Sequence, residues 1–334
     1  MGKTSIEWAD HSINPLRARN IETGKTGHFC EKISAGCKNC YASKMQSPYL
    51  TQLEYVVENR EKVDLFLEEK VLQEVLRRKK PTRYFWCDMT DMFLEDYHME
   101  WIDRCFAVMA LTPWHVHMVL TKRANRLLRW SSRKFLAGDV QMHANDLRNI
   151  HRLPFAAALQ RKYKLPPEEQ LDISDVDTWP LPNVWLGVSV EDQKNKDRID
   201  HLRETPAAVR FLSLEPLLED LGALDLRGID WVIVGGESGP GARPFDIRWA
   251  RDTIAQCKAA GTSCFIKQLG ARPEGPHGCG DCDPCMVGQP CMLAYNVGME
   301  LKDRKGGDWD EWSEDLRVRQ FPGEAESDME RDRR

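Results

Sequence analysis

Six short apolar runs, each closing in polar or charged residues, constrain the fold of this chain more than any other feature. They are RYFWCDMTD (83–91), HVHMVLTKR (115–123), NVWLGVSVED (183–192), VRFLSLEP (209–216), IDWVIVGGESG (229–239) and TSCFIKQLG (262–270). SIEWADHSINP (5–15) supplies an earlier strand. Apolar runs that do not alternate with polar residues read as strands buried on both faces, hence as a parallel sheet. Helical spacing separates most of them: Val63, Phe66, Leu67, Val71 and Val75; then Ile102, Cys105, Phe106 and Met109; later Ala250, Ile254 and Cys257. This repeat predicts an α/β protein, either an open sheet or a partial or near-complete TIM-like (β/α) barrel. The barrel is the expectation, because polar residues gather at the C-terminal ends of the strands, where barrel sites lie.

The rhythm assigns residues 1–270 to the barrel, with a helical insertion at about 131–180. That insertion contains HANDLRNIHRLPFAAALQRKY and the Pro/Asp-rich PPEEQLDISDVDTWPLP. A Cys-rich, metal-binding insertion spans 271–298, and a C-terminal extension 299–334 turns charge-rich, its last dozen residues reading as disordered. No apolar run approaches the ~20 residues of a membrane helix. MGKTSIEWADHS lacks the basic-then-apolar pattern of a secretory signal. Together with eleven cysteines, this points to a reducing, cytoplasmic setting in which clustered thiols bind metal. A net charge of −5 gives no overall attraction to nucleic acid.

Cys30, Cys37 and Cys40 form a C-x₆-C-x₂-C segment. Three thiolates are one short of the closed, four-ligand shell of structural zinc. They suffice for a [4Fe–4S] cluster with one iron open to an exogenous ligand. Zinc with His28 or a remote group as fourth ligand stays open. Cys279, Cys282, Cys285 and Cys291 place four thiolates in thirteen residues, enough to close around a second Fe–S cluster or a zinc. Cys87, Cys105, Cys257 and Cys264 read as small buried thiols.

The strand ends bring charged groups to one rim: Asp88 and Asp91, Lys122 and Arg123, Ser189 and Glu191, Glu215, Glu237, and Lys267 with Gln268. Lys122, Glu215 and Lys267 are the catalytic candidates among them. Mutual neutralisation in a salt-bridge network is the competing explanation, since an unpaired buried charge is costly. The GGESG turn lacks the G-x-G-x-x-G dinucleotide pattern, but Gly235 and Gly236 would let backbone approach a ligand. Arg243 offers a fork of donors to an anion. Arg126, Arg129 and Arg133 share a helix face, either a solvated surface or a phosphate-docking one.

TSIEWADHSINP, CEKISAGCKNCYA, LTKR, LGVSVED, SLEPLL and WVIVGGESGPGARP together resemble a phage- and bacteria-associated three-Cys-motif family regarded as radical-SAM-like. The resemblance implies a (β/α) barrel of radical-SAM type with a [4Fe–4S] cluster on Cys30, Cys37 and Cys40. S-adenosylmethionine would ligate the open iron, and reduction would yield a 5′-deoxyadenosyl radical. Gly235, Gly236 and Glu237 would line the adenosyl or methionyl pocket, Ser189 or Glu191 would contact ribose, and Asp88, Tyr41 and Arg243 would lie on the cofactor side. The expected partners are a nucleobase or nucleotide substrate, a reductant such as ferredoxin or flavodoxin, and a companion protein, with no membrane. Six residues separate the first two cysteines, Asn39 precedes Cys40 and Tyr41 follows it, so an adenine-contact role does not transfer to Tyr41 by position. The alternatives are a zinc-stabilised nucleic-acid-binding module and an Fe–S protein without radical cleavage.

Overall fold

The apolar runs do form the expected strands, but each regular segment is shorter than the run that announces it. The computed structural model describes residues 2–4, 6–151, 179–276 and 296–323. Two units divide the chain: Met1–Ser189 with Asp197–Phe211, and Val190–Lys196 with Leu212–Arg334.

In the first unit, β1 (Gly2–Lys3) runs antiparallel to β2 (His11–Ile13). A three-stranded antiparallel sheet follows, with β3 (Leu16–Asn20) between β4 (Thr26–Gly27) and β5 (Val63–Leu67). The cysteine segment and α1 (Tyr41–Tyr49) are inserted between β4 and β5. Then come α2 (Glu69–Arg77), β6 (Arg83–Trp86), α3 (Met99–Ala110), β7 (Val116–Thr121), α4 (Ala124–Ser131), α5 (Leu136–His151), β8 (Val184–Ser189), α6 (Asp197–Glu204) and the first half of β9 (Val209–Leu214), up to Phe211.

The helix expected from Val63 to Val75 is corrected here. Val63, Phe66 and Leu67 lie on β5, paired to β3 through Leu16↔Leu67, Arg17↔Phe66 and Asn20↔Val63. Only Val71 and Val75 belong to α2, which begins after Glu68 and buries Leu72, Val75 and Leu76. VDLFL is short and rich in residues that favour strands, and β3 offers it an open edge. The helices expected around Ile102–Met109 and Ala250–Cys257 are present.

Burial in the first unit centres on Trp8, Tyr84, Trp86, Phe106, Trp130 and Phe211. The Trp8 and Phe85 rings meet edge-on at 4.7 Å. Just before the helical insertion, Trp130 Nε1 donates to Asp103 Oδ1 at 2.8 Å. Residues 152–178 of the insertion lie outside the described residues.

In the second unit, β10 (Trp231–Gly235) pairs in parallel with β12 (Ser263–Gln268), with a register shift between Val234 and Gly235. Between them lie β11 (Phe245–Asp246) and α7 (Ile247–Ala260). Asp246 caps α7 by accepting from Arg248 N–H at 2.9 Å, and Gly261 ends it at φ 70°, a left-handed stop that suits glycine. β11, β13 (Pro273–Pro276) and β14 (Asn296–Gly298) make a small sheet, with β13 and β14 at the two ends of the 271–298 insertion. The extension after it packs onto β12: Val318 O accepts from Ile266 N–H, Gln320 N–H donates to Cys264 O, Trp231 Nε1 donates to Gln320 O, and the Arg319 guanidinium lies over the rings of Phe265, Trp309 and Trp312. Residues 324–334, the stretch expected to be disordered, lie outside the described residues.

In the first unit the parallel strands β2-β6-β7-β8 follow one another in chain order, and in the second β10 pairs in parallel with β12. That single-wound order makes this a mixed α/β fold of the partial-barrel kind and not a doubly wound sheet. Among the described residues, no helix is long and apolar enough to cross a membrane.

Candidate functional site

In the first unit, the chain leaves the parallel sheet at β2, forms the β3–β4 hairpin, and enters the cysteine segment. Phe29, fully buried, precedes Cys30, and its carbonyl accepts from Thr90 Oγ1 at 2.5 Å and from Tyr97 OH at 3.4 Å. Cys37 closes a single 3₁₀ turn, Ala35–Cys37, where its N–H donates to Ser34 O at 3.0 Å. Ser34 Oγ lies 3.7 Å from Cys37 Sγ. Cys40 stands at the N-cap of α1 and its N–H donates to Cys37 O at 3.4 Å. All three thiols are free and half-buried.

The ends of β2, β6 and β7 reach this segment. Just past β6, Asp88 accepts from Asn14 Nδ2 at 2.5 Å, and Tyr41 OH donates to its carbonyl at 2.7 Å and to its Oδ2 at 3.2 Å. Tyr55 OH donates to Met89 O at 2.6 Å. Asp91 accepts from Thr121 Oγ1 at 2.7 Å, Phe93 N–H at 2.9 Å and Lys122 N–H at 3.0 Å, so it fastens the turn after β7. It also accepts from Arg123 Nη1 at 3.1 Å. The same guanidinium reaches Cys30 Sγ at 3.7 Å and Glu31 O at 3.3 Å. Burial pushes the Cys30 thiol up to about 12, opposed by the Arg123 charge and reinforced by Asp91 and Cys40. Tyr41 and Asp88 are thus brought together at the cysteine segment. Lys122 meets Asp91 through its backbone.

Arg123 was expected at the rim of strand ends; Asn14, Thr90 and Tyr97 were not among the site residues expected from sequence. Asn14 carried a signal, since it directly follows β2. Thr90 and Tyr97 carried none, because their partner, a main-chain carbonyl, has no sequence identity. Ser189 is buried, and its carbonyl accepts from Arg198 Nη1 at 2.8 Å.

Among the described residues, no three His, Cys, Asp or Glu side chains are gathered closely enough to hold a single metal ion. Cys30, Cys37 and Cys40 share one segment. What the segment supplies is the donor chemistry: three soft sulfur ligands, one of them beside a fixed cation. His28 is buried, and neither ring nitrogen has a hydrogen-bond partner. Burial, helped by the Arg17 charge, lowers its imidazole to about 3, so it is neutral. Cys279, Cys282, Cys285 and Cys291 lie outside the described residues. Cys87, Cys105, Cys257 and Cys264 are buried thiols, as expected.

In the second unit, Lys267 Nζ donates to Glu215 Oε1 at 2.5 Å. A side chain at Gly235 would meet the Glu215 carboxyl at 3.3 Å, and one at Gly236 would collide with Leu269 O. Close packing accounts for both glycines. Gly236 is further tied to Gln268, donating to its carbonyl at 3.0 Å and accepting from its Nε2 at 2.9 Å. Glu237 Oε2 accepts from Arg243 N–H at 3.0 Å and Nε at 2.9 Å, while Oε1 accepts from Nη2 at 2.5 Å. The Arg243 fork is therefore occupied by Glu237. Glu191 is fully buried, and its carbonyl accepts from Leu218 N–H at 3.0 Å.

The arginine stripe is solvated only in part: Arg129 is exposed, whereas Arg126 is turned inward. Arg126 is 3% exposed and donates from Nη2 to Tyr97 O at 2.6 Å. Arg129 pairs with Glu95 at 2.7 Å, and Arg133, beyond the end of α4, pairs with Asp103 and, at 3.7 Å, with Asp139. The helix turns its first arginine inward, so the same-face spacing yields a fastening to α3 and the loop before it.

A family model described as "Protein of unknown function (DUF5131)" matches residues 3–315. No curated protein and no solved structure matches the chain.

Proposed function

Because this chain belongs to the DUF5131 family, whose description assigns no activity, we propose from its own site that it is a radical S-adenosylmethionine-type enzyme. Cys30, Cys37 and Cys40 would hold a [4Fe–4S] cluster. The observation that carries this reading is the contact of Arg123, at the end of β7, with the sulfur of Cys30, 3.7 Å away. It supports a thiol segment seated where the parallel strands end, which is where α/β sheets of this order place their chemistry. Bound there with S-adenosylmethionine, the cluster would supply the electron that cleaves the sulfonium and releases a 5′-deoxyadenosyl radical.

The chain's own residues have narrower tasks. Asp88 and Asn14 fix Tyr41 at the start of α1. Asp91 fixes Arg123 against Cys30. Thr90 and Tyr97 hold the Phe29 carbonyl, which sets where the segment departs. A nucleobase or nucleotide is proposed as the substrate class, without support from the arginine stripe. A second Fe–S cluster or zinc on Cys279, Cys282, Cys285 and Cys291, a ferredoxin- or flavodoxin-type reductant and a companion protein belong to the same proposal.

The test is anaerobic reconstitution of the full chain with iron and sulfide, followed by dithionite and S-adenosylmethionine. Release of 5′-deoxyadenosine by the wild type and its loss in Cys37→Ala are the expected results. Equal release by the variant would reject the assignment. A zinc centre is the second reading, favoured by the unpartnered nitrogens of His28. It predicts one tightly held zinc and no acid-labile sulfide at the same cysteines.

A further inference from the structure

Two sulfurs of the cysteine segment, those of Cys37 and Cys30, differ in their surroundings. Cys37 Sγ has the Ser34 hydroxyl at 3.7 Å, a neutral neighbour. Cys30 Sγ has a guanidinium at 3.7 Å. That guanidinium is 8% exposed and does not wander, since Asp91 accepts from Nη1 and Glu31 O accepts from Nη2. Asp91 is itself held by three donors besides Arg123: Thr121 Oγ1, Phe93 N–H and Lys122 N–H. The cation is thus locked in place from the strand side before any ligand arrives.

We infer that Arg123, positioned by Asp91, sets the electron affinity of the group bound through Cys30 and so acts as a positioning residue for its reduction. This rests on the reading of Cys30, Cys37 and Cys40 as cluster ligands. A charge-assisted donor beside a ligating sulfur draws off electron density and stabilises the more negative, reduced state. Asp91 has no such contact with sulfur; it prevents the guanidinium from turning away. The contrast with Cys37 marks the Cys30 corner as one that the protein tunes by charge. Removing the guanidinium leaves Asp91 with its three remaining donors, so the carboxylate is not stranded.

The experiment is a redox titration, followed by electron paramagnetic resonance, of full-length protein reconstituted with iron and sulfide. Wild type, Arg123→Met and Arg123→Lys are compared at matched iron content, with circular dichroism confirming the fold. The midpoint potential should move to more negative values in Arg123→Met and stop at an intermediate value in Arg123→Lys, which keeps the charge but loses the fork. Should Arg123→Met fail to fold, Arg123→Lys alone carries the comparison. Unchanged potentials in folded, cluster-bearing variants would overturn the role of Arg123 while leaving the cluster assignment intact. A wild type that takes up no iron would overturn the cluster assignment, and this inference with it.

Discussion

The indole N–H of Trp86 donates to Nδ1 of His117 at 3.0 Å, which assigns the remaining ring proton to Nε2. That proton faces Thr112 Oγ1 at 3.0 Å, and the hydroxyl in turn donates to Val108 O at 2.7 Å. A second proton on His117 would set two donors against each other in a fully buried place. Burial first, and the neighbouring His115 second, hold His117 well below the usual imidazole range.

This buried histidine pair predicts acid sensitivity. Burial also lowers His115, to about 4 from an ordinary 6.5. A folded-state value below the unfolded one means that the unfolded chain binds protons first as pH falls. The stabilisation is complete above about pH 6.5 and is lost progressively as pH falls towards 4. The urea midpoint should therefore drop between pH 7 and pH 5, and His117→Gln should flatten that slope while lowering the midpoint at pH 7. A slope unaffected by the substitution would show that other groups govern the acid limb.

Gly187 on β8 is pressed against Phe211 on β9. A Cβ at position 187 would sit 2.5 Å from the ring. Gly187→Ala should destabilise the protein by about 1–3 kcal/mol, the usual cost of overpacking. Thermal unfolding of purified variants reads this out directly. A variant as stable as wild type would mean the ring can retreat.

Arg243 and Glu237 make a partly buried, bidentate pair, with side chains 23% and 8% exposed. Arg243→Ala leaves a carboxylate poorly solvated and without its fork, at a cost of roughly 3 kcal/mol. The double change Arg243→Ala with Glu237→Gln should recover part of the loss. If Arg243→Ala instead left stability untouched and weakened S-adenosylmethionine binding by calorimetry, the arginine would be a ligand contact and not a partner of Glu237.

His28 separates the two metal readings. With Cys30, Cys37 and Cys40 as the full protein ligand set, His28→Ala should keep its iron content after reconstitution, as measured by plasma emission. Loss of bound metal in that variant would assign His28 to the shell and favour zinc.

Much of the sheet was legible because parallel strands carry their burial in local sequence: WVIVG is apolar at every position and forms β10. β5 was not legible, since VDLFL becomes a strand only through pairing with Leu16–Asn20, more than forty residues earlier. The same limit applies at the site. The cysteine spacing and the polar strand ends could be read from the chain, yet the Arg123–Cys30 contact joins residues 93 positions apart. The arginine stripe misled because helical spacing states which residues share a face and not which way the face points. Arg126 points inward, to the Tyr97 carbonyl.

The cysteine segment is tethered at both ends, by Thr90 on the Phe29 carbonyl and by Asp88 on the Tyr41 hydroxyl. Much of the entropy of closing that loop is therefore surrendered during folding and not at the moment of capture. Its interior can rearrange around a guest while the two hinges stay put. Affinity at such a place should respond more steeply to loosening a tether than to altering the residues between.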